Sequence, residues 1–281
     1  MTTSRIPAAV KPADCQTANP VEVLAAVRHI VEQSIMQAPR SLQRMVGPSQ
    51  LGNPCDHCLA CQLAAVPYTA PEGATWLPFI GTAVHQALAD VVDGLGKSTT
   101  ARTGRPYRIR VEERVTVGDV DGQPVTGSTD LFDTVSGTVF DWKIVGENKL
   151  RSVKANGPGE QYRAQAHLYG QGWVNAGFEV EAVAVVFLPR NAATGFDGGV
   201  LWMEPFEPAV AVAALDRATR LARNLRAVKH HPEVFTKWLA SLPRAQGCFD
   251  CHRYPNPPTD VWVPRVAAPE VTTIKPIKEK E

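Results

Sequence analysis

Residues 126–145 read TGSTDLFDTVSGTVFDWKIV and carry the strongest fold signal of the chain. A Ser136-Gly137 pair divides this stretch, and the runs on either side predict strands over residues 125–135 and 138–145. Upstream, residues 108–117 alternate between polar and apolar side chains. This alternation predicts a third strand with one buried face. We therefore expect a three-stranded antiparallel unit at the centre of the fold.

The remaining sequence places helices around this unit. Residues 180–188 are nearly all apolar and predict a buried central strand. Residues 146–159 are polar and rich in glycine, which predicts a loop. Helical spacing of apolar residues predicts four helices, over residues 20–38, 81–92, 159–175 and 208–229. This order predicts an α/β domain with a restriction-endonuclease-like layout, a mixed central sheet flanked by helices.

Composition indicates an ordinary globular protein. The chain has 281 residues, of which 44% are hydrophobic and 20% charged, and its net charge is +1. We expect one domain over residues 19–263, a flexible lead over 1–18 and a disordered, Pro- and Lys-rich tail over 264–281. The sequence has neither a run of ~18 apolar residues nor an apolar signal core. A cytoplasmic protein without a membrane segment is therefore expected.

Three charged residues on the central hairpin suggest chemistry. Asp141 and Lys143 share one strand face because strand side chains alternate, and the hairpin can bring Asp130 beside them. Two carboxylates form a site for Mg²⁺ or Mn²⁺, and a lysine can orient water or stabilise charge on a phosphate. Surface charges at strand ends, or a buried ion pair, are the alternatives. Phosphodiester hydrolysis is the reaction that this set of groups favours.

Two further motifs flank the hairpin in a fixed order. Gly81-Thr-Ala-Val-His85 precedes it, and Gln165-Ala-His-Leu-Tyr169 follows it. The ordered set, with Asp130 and the Asp-Trp-Lys triplet, resembles the RecB-like branch of the PD-(D/E)XK nucleases. The resemblance implies that His85, Asp130, Asp141 and the Trp142 carbonyl hold the metal. It gives catalytic roles to Lys143, Gln165 and Tyr169.

The resemblance also implies an activity and partners. It indicates a DNA exonuclease that acts on single-stranded DNA or free ends, in recombination, repair or phage DNA metabolism, with recombination or CRISPR-adaptation proteins as partners. A non-catalytic DNA-binding or adaptation-complex module that keeps the fold is the alternative, and so is a zinc-stabilised interaction protein. The complete set of Asp130, Asp141 and Lys143 favours the enzyme.

Five cysteines are spaced as metal ligands. Cys55, Cys58 and Cys61 follow one another at two-residue gaps, and Cys248 and Cys251 repeat that gap near the other end. The spacing suits either Zn²⁺ or an iron–sulfur cluster. CRISPR-associated and AddB-type RecB-like nucleases carry a 4Fe-4S cluster, with one upstream and three downstream cysteines. The resemblance thus implies a cluster on Cys55, Cys248, Cys251 and either Cys58 or Cys61, and the different distribution keeps zinc as the alternative.

Polar residues after Lys143 are candidate DNA contacts. Lys149, Arg151 and Lys154 lie in the predicted loop, which we expect to touch the phosphate backbone. Gln161 shares a helix face with Gln165 and Tyr169, and it too is a candidate DNA contact. A regular row of cations on the long helix is interpreted as a solvated face with snorkelling side chains; it comprises Arg217, Arg220, Arg223, Arg226 and Lys229.

Overall fold

A computed structural model describes residues 20–37, 46–67, 76–191 and 195–254. The chain divides into two compact units, one of residues 1–43 and 71–82, the other of residues 44–70 and 83–281. The predicted lead and tail, residues 1–18 and 264–281, lie outside the described residues. The single domain over residues 19–263 stays a prediction. No helix in the described parts of the chain is both long and apolar enough to cross a membrane.

The second unit is built on a five-stranded mixed sheet, which confirms the predicted fold class. Its strands are β1 (Ile109–Val120), β2 (Gln123–Asp133), β3 (Thr138–Val145), β4 (Ala182–Pro189) and β5 (Val200–Pro205), in spatial order β1-β2-β3-β4-β5. Strands β3 and β4 are parallel, and the other neighbouring pairs are antiparallel. Parallel neighbours need a crossover connection, and two helices supply it between β3 and β4.

Eight α-helices accompany the strands in the described residues: α1 (Pro20–Met36), α2 (Pro48–Leu51), α3 (Asp56–Leu63), α4 (Trp76–Thr103), α5 (Glu147–Asn156), α6 (Glu160–Asn175), α7 (Pro208–Val228) and α8 (Pro232–Ser241). Helix α1 lies in the first unit, and α4 begins there. Helices α5 and α6 form the crossover. The predicted helices at 20–38, 81–92, 159–175 and 208–229 are present, the second as part of the longer α4.

The loop predicted over residues 146–159 was wrong, because α5 occupies most of it. Leu150 and Val153 are buried on one side of this helix. Residues three positions apart lie on the same helix face, so these two apolar side chains can anchor a mostly polar helix. Gly157 follows the last helical residue with φ of 76°, a positive angle that favours glycine. Polar composition therefore concealed a helix that needs only two apolar anchors.

Helix α6 packs against the sheet and carries the centre of the core. The Trp173 ring stacks on Phe132 of β2, with ring centroids 4.3 Å apart. Trp173 also donates from its indole nitrogen to Thr129 Oγ1 at 3.2 Å. The close approach depends on Gly172, because a Cβ there would lie 2.4 Å from Val115 Cγ2 of β1. These contacts hold α6 in position over the strands that carry the charged residues.

A second apolar cluster surrounds the cysteines. Cys55, Cys58 and Cys61 of the α3 region are fully buried, and they pack with Phe235 and Leu239 of α8. Leu225 of α7 and Tyr254 are further buried members of this cluster. The cluster joins a segment near residue 55 to a segment near residue 250, so the two cysteine motifs meet in space.

Candidate functional site

The site forms where strands β2 and β3 part. Their pairing ends at Leu131 and Phe140. Just beyond it, the Asp130 Oδ2 atom accepts a hydrogen bond from the Trp142 backbone N–H at 2.6 Å. The Asp130 carboxylate thus accepts the hydrogen bond that a main-chain carbonyl of a paired strand would otherwise accept. Asp130 is buried at this split. Trp142 therefore reaches the site through its main chain, as a backbone donor.

His85 joins this carboxylate from helix α4. Its Nδ1 atom lies 3.1 Å from Asp130 Oδ1, and both side chains are largely shielded from solvent. One Asp130 oxygen is therefore engaged by a main-chain N–H and the other by an imidazole. The Gly-x-x-x-His and first-acid motifs, 45 residues apart in sequence, meet as an imidazole–carboxylate pair.

Asp141 and Lys143 project from β3 toward helix α6. Asp141 is 3% exposed, and its Oδ1 atom accepts a hydrogen bond from Gln165 Nε2 at 3.2 Å. Its Oδ2 atom lies 2.5 Å from Lys143 Nζ but accepts no hydrogen bond of normal geometry. Burial raises the pKa of the Asp141 carboxyl, Lys143 opposes this rise, and the charge of Asp130 adds to it. A bound cation would relieve this unfavourable concentration of negative charge.

Glu112 is a site residue that the sequence motifs did not reveal. It lies on β1 between the pairs Val111–Leu131 and Glu113–Thr129, and so beside Asp130. One ligand atom each from His85, Glu112 and Asp130 lies within 4.8 Å of the others. Glu112 has φ of 52°, a left-handed conformation that costs a non-glycine residue about 1 kcal/mol or more. Within an alternating strand an acid looks like an ordinary exposed residue, so sequence alone gave no signal.

The predicted residues of helix α6 have different surroundings. Gln165 holds Asp141, as described above. Tyr169 is buried in the core beside Gly127, where a Cβ would lie 3.0 Å from its Cε1 atom. Gln161 donates from Nε2 to the Ser49 carbonyl at 3.2 Å. Gln165 thus contacts one of the two acids directly.

The Tyr162 ring lies between Lys143 of β3 and Lys149 of helix α5. Lys143 Nζ lies 5.6 Å from the centre of the Tyr162 ring, and Lys149 Nζ lies 5.1 Å from it. Lys149, one of the predicted DNA contacts on α5, thus shares the Tyr162 ring with Lys143. Arg151 is exposed and donates to Asn148 Oδ1 at 2.6 Å, and Lys154 is exposed in the last turn.

The row of cations on α7 was predicted to be a solvated face, and Arg217 departs from this prediction. Its guanidinium Nη2 atom donates to the carbonyls of Leu51 at 2.8 Å and Asn53 at 2.5 Å. Arg223 and Arg226 pair with Asp121 at 3.5 and 2.9 Å, as partly exposed cations can. Arg217 thus fastens the segment before Cys55 to the long helix, a structural contact within the protein.

Four of the five predicted cysteine ligands meet in one place. Sγ atoms of Cys55, Cys58, Cys248 and Cys251 all lie within 4.8 Å of one another. Cys61 is outside this group, and its Sγ atom lies 3.9 Å from the ring nitrogens of His57. Burial raises the pKa of the Cys61 thiol to about 12, which favours its neutral form. Of the two alternatives that spacing left open, Cys58 is the one whose Sγ atom lies in this group.

Comparison with known proteins gives only distant similarity. No protein-family model and no curated protein matches the sequence. An alkaline exonuclease from Laribacter hongkongensis is 12% identical, with a TM-score of 0.42 over 70% of this chain and 91% of its own. A phage-related exonuclease from Haemophilus somnus 129PT is 10% identical, with a TM-score of 0.32 over 49% and 70%. Similarity at this level assigns the chain to no family, and the function proposed below is argued from the site geometry and the sequence motifs.

Proposed function

We propose that this protein is a metal-dependent nuclease that hydrolyses phosphodiester bonds of DNA. The supporting observation is the meeting of two buried carboxylates, an imidazole and an ammonium group at the split between β2 and β3. Carboxylate oxygens and a lysine at one split between strands suit the binding of a divalent ion next to a phosphate. A purely structural ion pair would not need Asp130, His85 and Glu112 beside it.

The donor set fits Mg²⁺ or Mn²⁺. These ions take oxygen ligands and accept a single imidazole. His85, Glu112 and Asp130 form one group of donors, and the Asp141 Oδ2 atom is a buried oxygen that lacks a normal hydrogen bond. When bound, such an ion would lower the pKa of a coordinated water and neutralise charge on the phosphate. We infer that His85, Asp130 and Asp141 hold it, with Glu112 as a further ligand.

The other residues have distinct tasks in this proposal. The Trp142 N–H and His85 fix the orientation of Asp130, and Gln165 fixes that of Asp141. Lys143, held 2.5 Å from Asp141, places its ammonium group where it can donate hydrogen bonds to the attacking water or to a phosphate oxygen. Preorganised donors of this kind stabilise the charge that develops in the transition state.

The finer assignment rests on the motif order between Gly81 and Tyr169. On that basis we propose action on single-stranded DNA or free ends in recombination, repair or phage DNA metabolism, with recombination or CRISPR-adaptation proteins as partners. The test incubates the purified protein and Mg²⁺ with circular and linear, single- and double-stranded DNA, each linear strand labelled at one end. Progressive loss of linear strands alone would support exonuclease action. Absence of any cleavage under all conditions would refute the proposal.

Glu112 provides a first check of the ligand set. Glu112→Gln removes one negative oxygen beside Asp130 while keeping the side-chain size. We expect the Mg²⁺ concentration for half-maximal activity to rise by roughly 10-fold or more, since altered ligation weakens metal affinity by such factors. Excess Mg²⁺ should restore most of the maximal rate.

The matched control is Glu113→Gln, which removes the same charge from the next position. Glu113 pairs with Arg110 at 3.3 Å and is not among the grouped donors. Its Mg²⁺ dependence should equal that of the wild type. Equal dependence for both variants would remove Glu112 from the site.

Helix α5 is the proposed DNA-contacting element. Lys149, Arg151 and Lys154 are exposed on it, and Lys149 shares Tyr162 with Lys143. Replacing all three by alanine should weaken DNA binding and flatten its salt dependence. Each lost phosphate contact should reduce the logarithmic salt slope by roughly 0.7 to 0.9. Binding is measured with Ca²⁺ so that DNA stays intact.

A second triple variant separates this effect from a change in net charge. Alanine at Lys97, Arg102 and Lys237 removes the same three positive charges from exposed positions on α4 and α8. We expect its salt slope to remain at the wild-type value. If both triple variants flatten the slope equally, binding responds to net charge and α5 is no specific contact.

A further inference from the structure

The cysteine site has the dimensions of a single-ion site. Cys55 Sγ lies 3.5 Å from Cys251 Sγ, and Cys58 Sγ lies 3.7 Å from Cys248 Sγ and 3.5 Å from Cys251 Sγ. A tetrahedral zinc ion with Zn–S bonds of about 2.3 Å sets its sulfurs about 3.8 Å apart. The observed separations are within a few tenths of an ångström of that value.

An iron–sulfur cubane requires a larger cage. Each of its four cysteines binds a different iron at a corner of the cluster, which places the ligand sulfurs roughly 6 Å apart. Here all four sulfurs lie within 4.8 Å of one another. The two chain segments would have to separate by more than an ångström to admit the cluster, and they are packed into one apolar core. The cage therefore does not fit the 4Fe-4S cluster that the family resemblance implies.

We propose that Cys55, Cys58, Cys248 and Cys251 bind one structural zinc ion, in place of an iron–sulfur cluster. Four protein ligands fill the tetrahedral coordination and leave no position for water or substrate, which is the pattern of structural zinc. The site therefore stabilises the fold and takes no part in the reaction.

The backbone around the sulfurs supports this assignment. Cys55 immediately precedes α3 and Cys58 lies in its first turn, while Cys248 immediately precedes the short 3-10 turn Phe249–Arg253. Backbone N–H groups of Cys58 and Ala245 donate hydrogen bonds to the Cys55 sulfur. Donors aimed at sulfur stabilise the thiolate form that binds metal.

Asn53 forms hydrogen bonds to both cysteine motifs. Its Oδ1 atom accepts a hydrogen bond from the Cys55 N–H at 2.9 Å, and its Nδ2 atom donates to Asp250 Oδ2 at 3.2 Å. The backbone carbonyl of Asn53 is in turn held by Arg217 at 2.5 Å. Contacts from α7 and from the second cysteine motif thus hold the first motif in the ligating conformation.

The decisive measurement is the metal content of the wild-type protein. The protein is purified without oxygen from cells grown with added iron, and zinc, iron and acid-labile sulfide are measured per chain. We expect one zinc, negligible iron and sulfide, and no visible absorption. Exchange with Co²⁺ should then give the absorption bands of a tetrahedral tetrathiolate site. Stoichiometric iron and sulfide, or the absence of any bound metal, would overturn the proposal.

Cysteine variants test the ligand set against an internal control. Cys251→Ser should lose zinc and lower the Tm by roughly 10 °C, because the metal contributes directly to folding stability. Cys61→Ser alters a buried thiol outside the ligand group and should retain one zinc per chain. If Cys251→Ser does not fold, Cys251→His, which offers an alternative zinc ligand, replaces it and should keep the metal. Zinc loss in Cys61→Ser with retention in Cys251→Ser would contradict the ligand set.

Discussion

Lys143→Ala is expected to reduce DNA cleavage by roughly 10³-fold or more, because it removes the ammonium group that serves the attacking water and the phosphate. Lys143 Nζ lies 2.5 Å from Asp141 Oδ2, so this cation also balances a buried carboxylate. Its loss need not leave a buried charge, since burial already raises the pKa of Asp141 and the carboxyl can take up a proton. The free energy of unfolding should therefore change by only about 1 kcal/mol.

Two comparisons make this result specific. Lys237→Ala removes an exposed lysine from α8 and should cleave at the wild-type rate. Asp130→Ala, which removes the other buried acid, should be as inactive as Lys143→Ala. Cleavage is measured as the initial rate on end-labelled DNA, and folding as the thermal transition. Wild-type rates in folded Lys143→Ala or Asp130→Ala would end the assignment of these residues.

Removal of divalent ions should abolish activity, with a loss of roughly 10³-fold or more. Mg²⁺ or Mn²⁺ should restore it, because the site offers carboxylate oxygens and one imidazole. Ca²⁺ should restore DNA binding with little turnover, since its looser coordination polarises water less. The measurement is the cleavage rate against the concentration of each ion after exhaustive chelation.

The cysteine site needs its own control in this experiment. Chelation that stripped the structural ion would unfold the protein and imitate a catalytic effect. The Tm and the zinc content are therefore measured on the same chelated sample, and both should equal their untreated values. Full activity in a folded, ion-depleted sample would contradict a mechanism that uses two carboxylates and a metal.

The central charged residues could be expected from sequence because strand geometry is regular. Alternation alone places Asp141 and Lys143 on one face, and a hairpin turn brings Asp130 to the neighbouring strand. Glu112 could not be expected, because its φ of 52° departs from strand geometry and its neighbour Asp130 lies on another strand. A residue that reaches a site through an irregular backbone gives no periodic signal.

Several elements were missed for a related reason. Helix α5 exposes most of its residues, and only Leu150 and Val153 anchor it. Helix α8 relies on Phe235 and Leu239 in the same way. Strand β5 is an edge strand of six residues, too short for a clear alternation. Short elements with one or two anchors depend on tertiary packing, which local sequence patterns do not report.

Whether Cys58 or Cys61 lies beside the second cysteine motif depends on where helix α3 begins. Helix α3 begins at Asp56, so Cys55 and Cys58 lie at its start, within one turn of each other. Cys61 lies three residues further along, about 4.5 Å farther up the helix axis at the usual rise. It consequently meets His57 and not the second motif. Cys55, Cys58 and Cys61 are equally spaced in sequence, but their distances from the second motif depend on the start of the helix.

The separation of the two cysteine motifs also sets an order of events during synthesis. The Cys58 and Cys248 sulfurs lie 3.7 Å apart although 190 positions separate them in the chain. At about 5 to 20 residues per second, a ribosome needs roughly 10 to 40 seconds to add that length. All five strands and the acids of the split precede the second motif in the chain, and the last strand ends at Pro205. The nascent chain therefore spends that interval with two unmatched thiols, and only a chain extended past Cys251 can join these two segments.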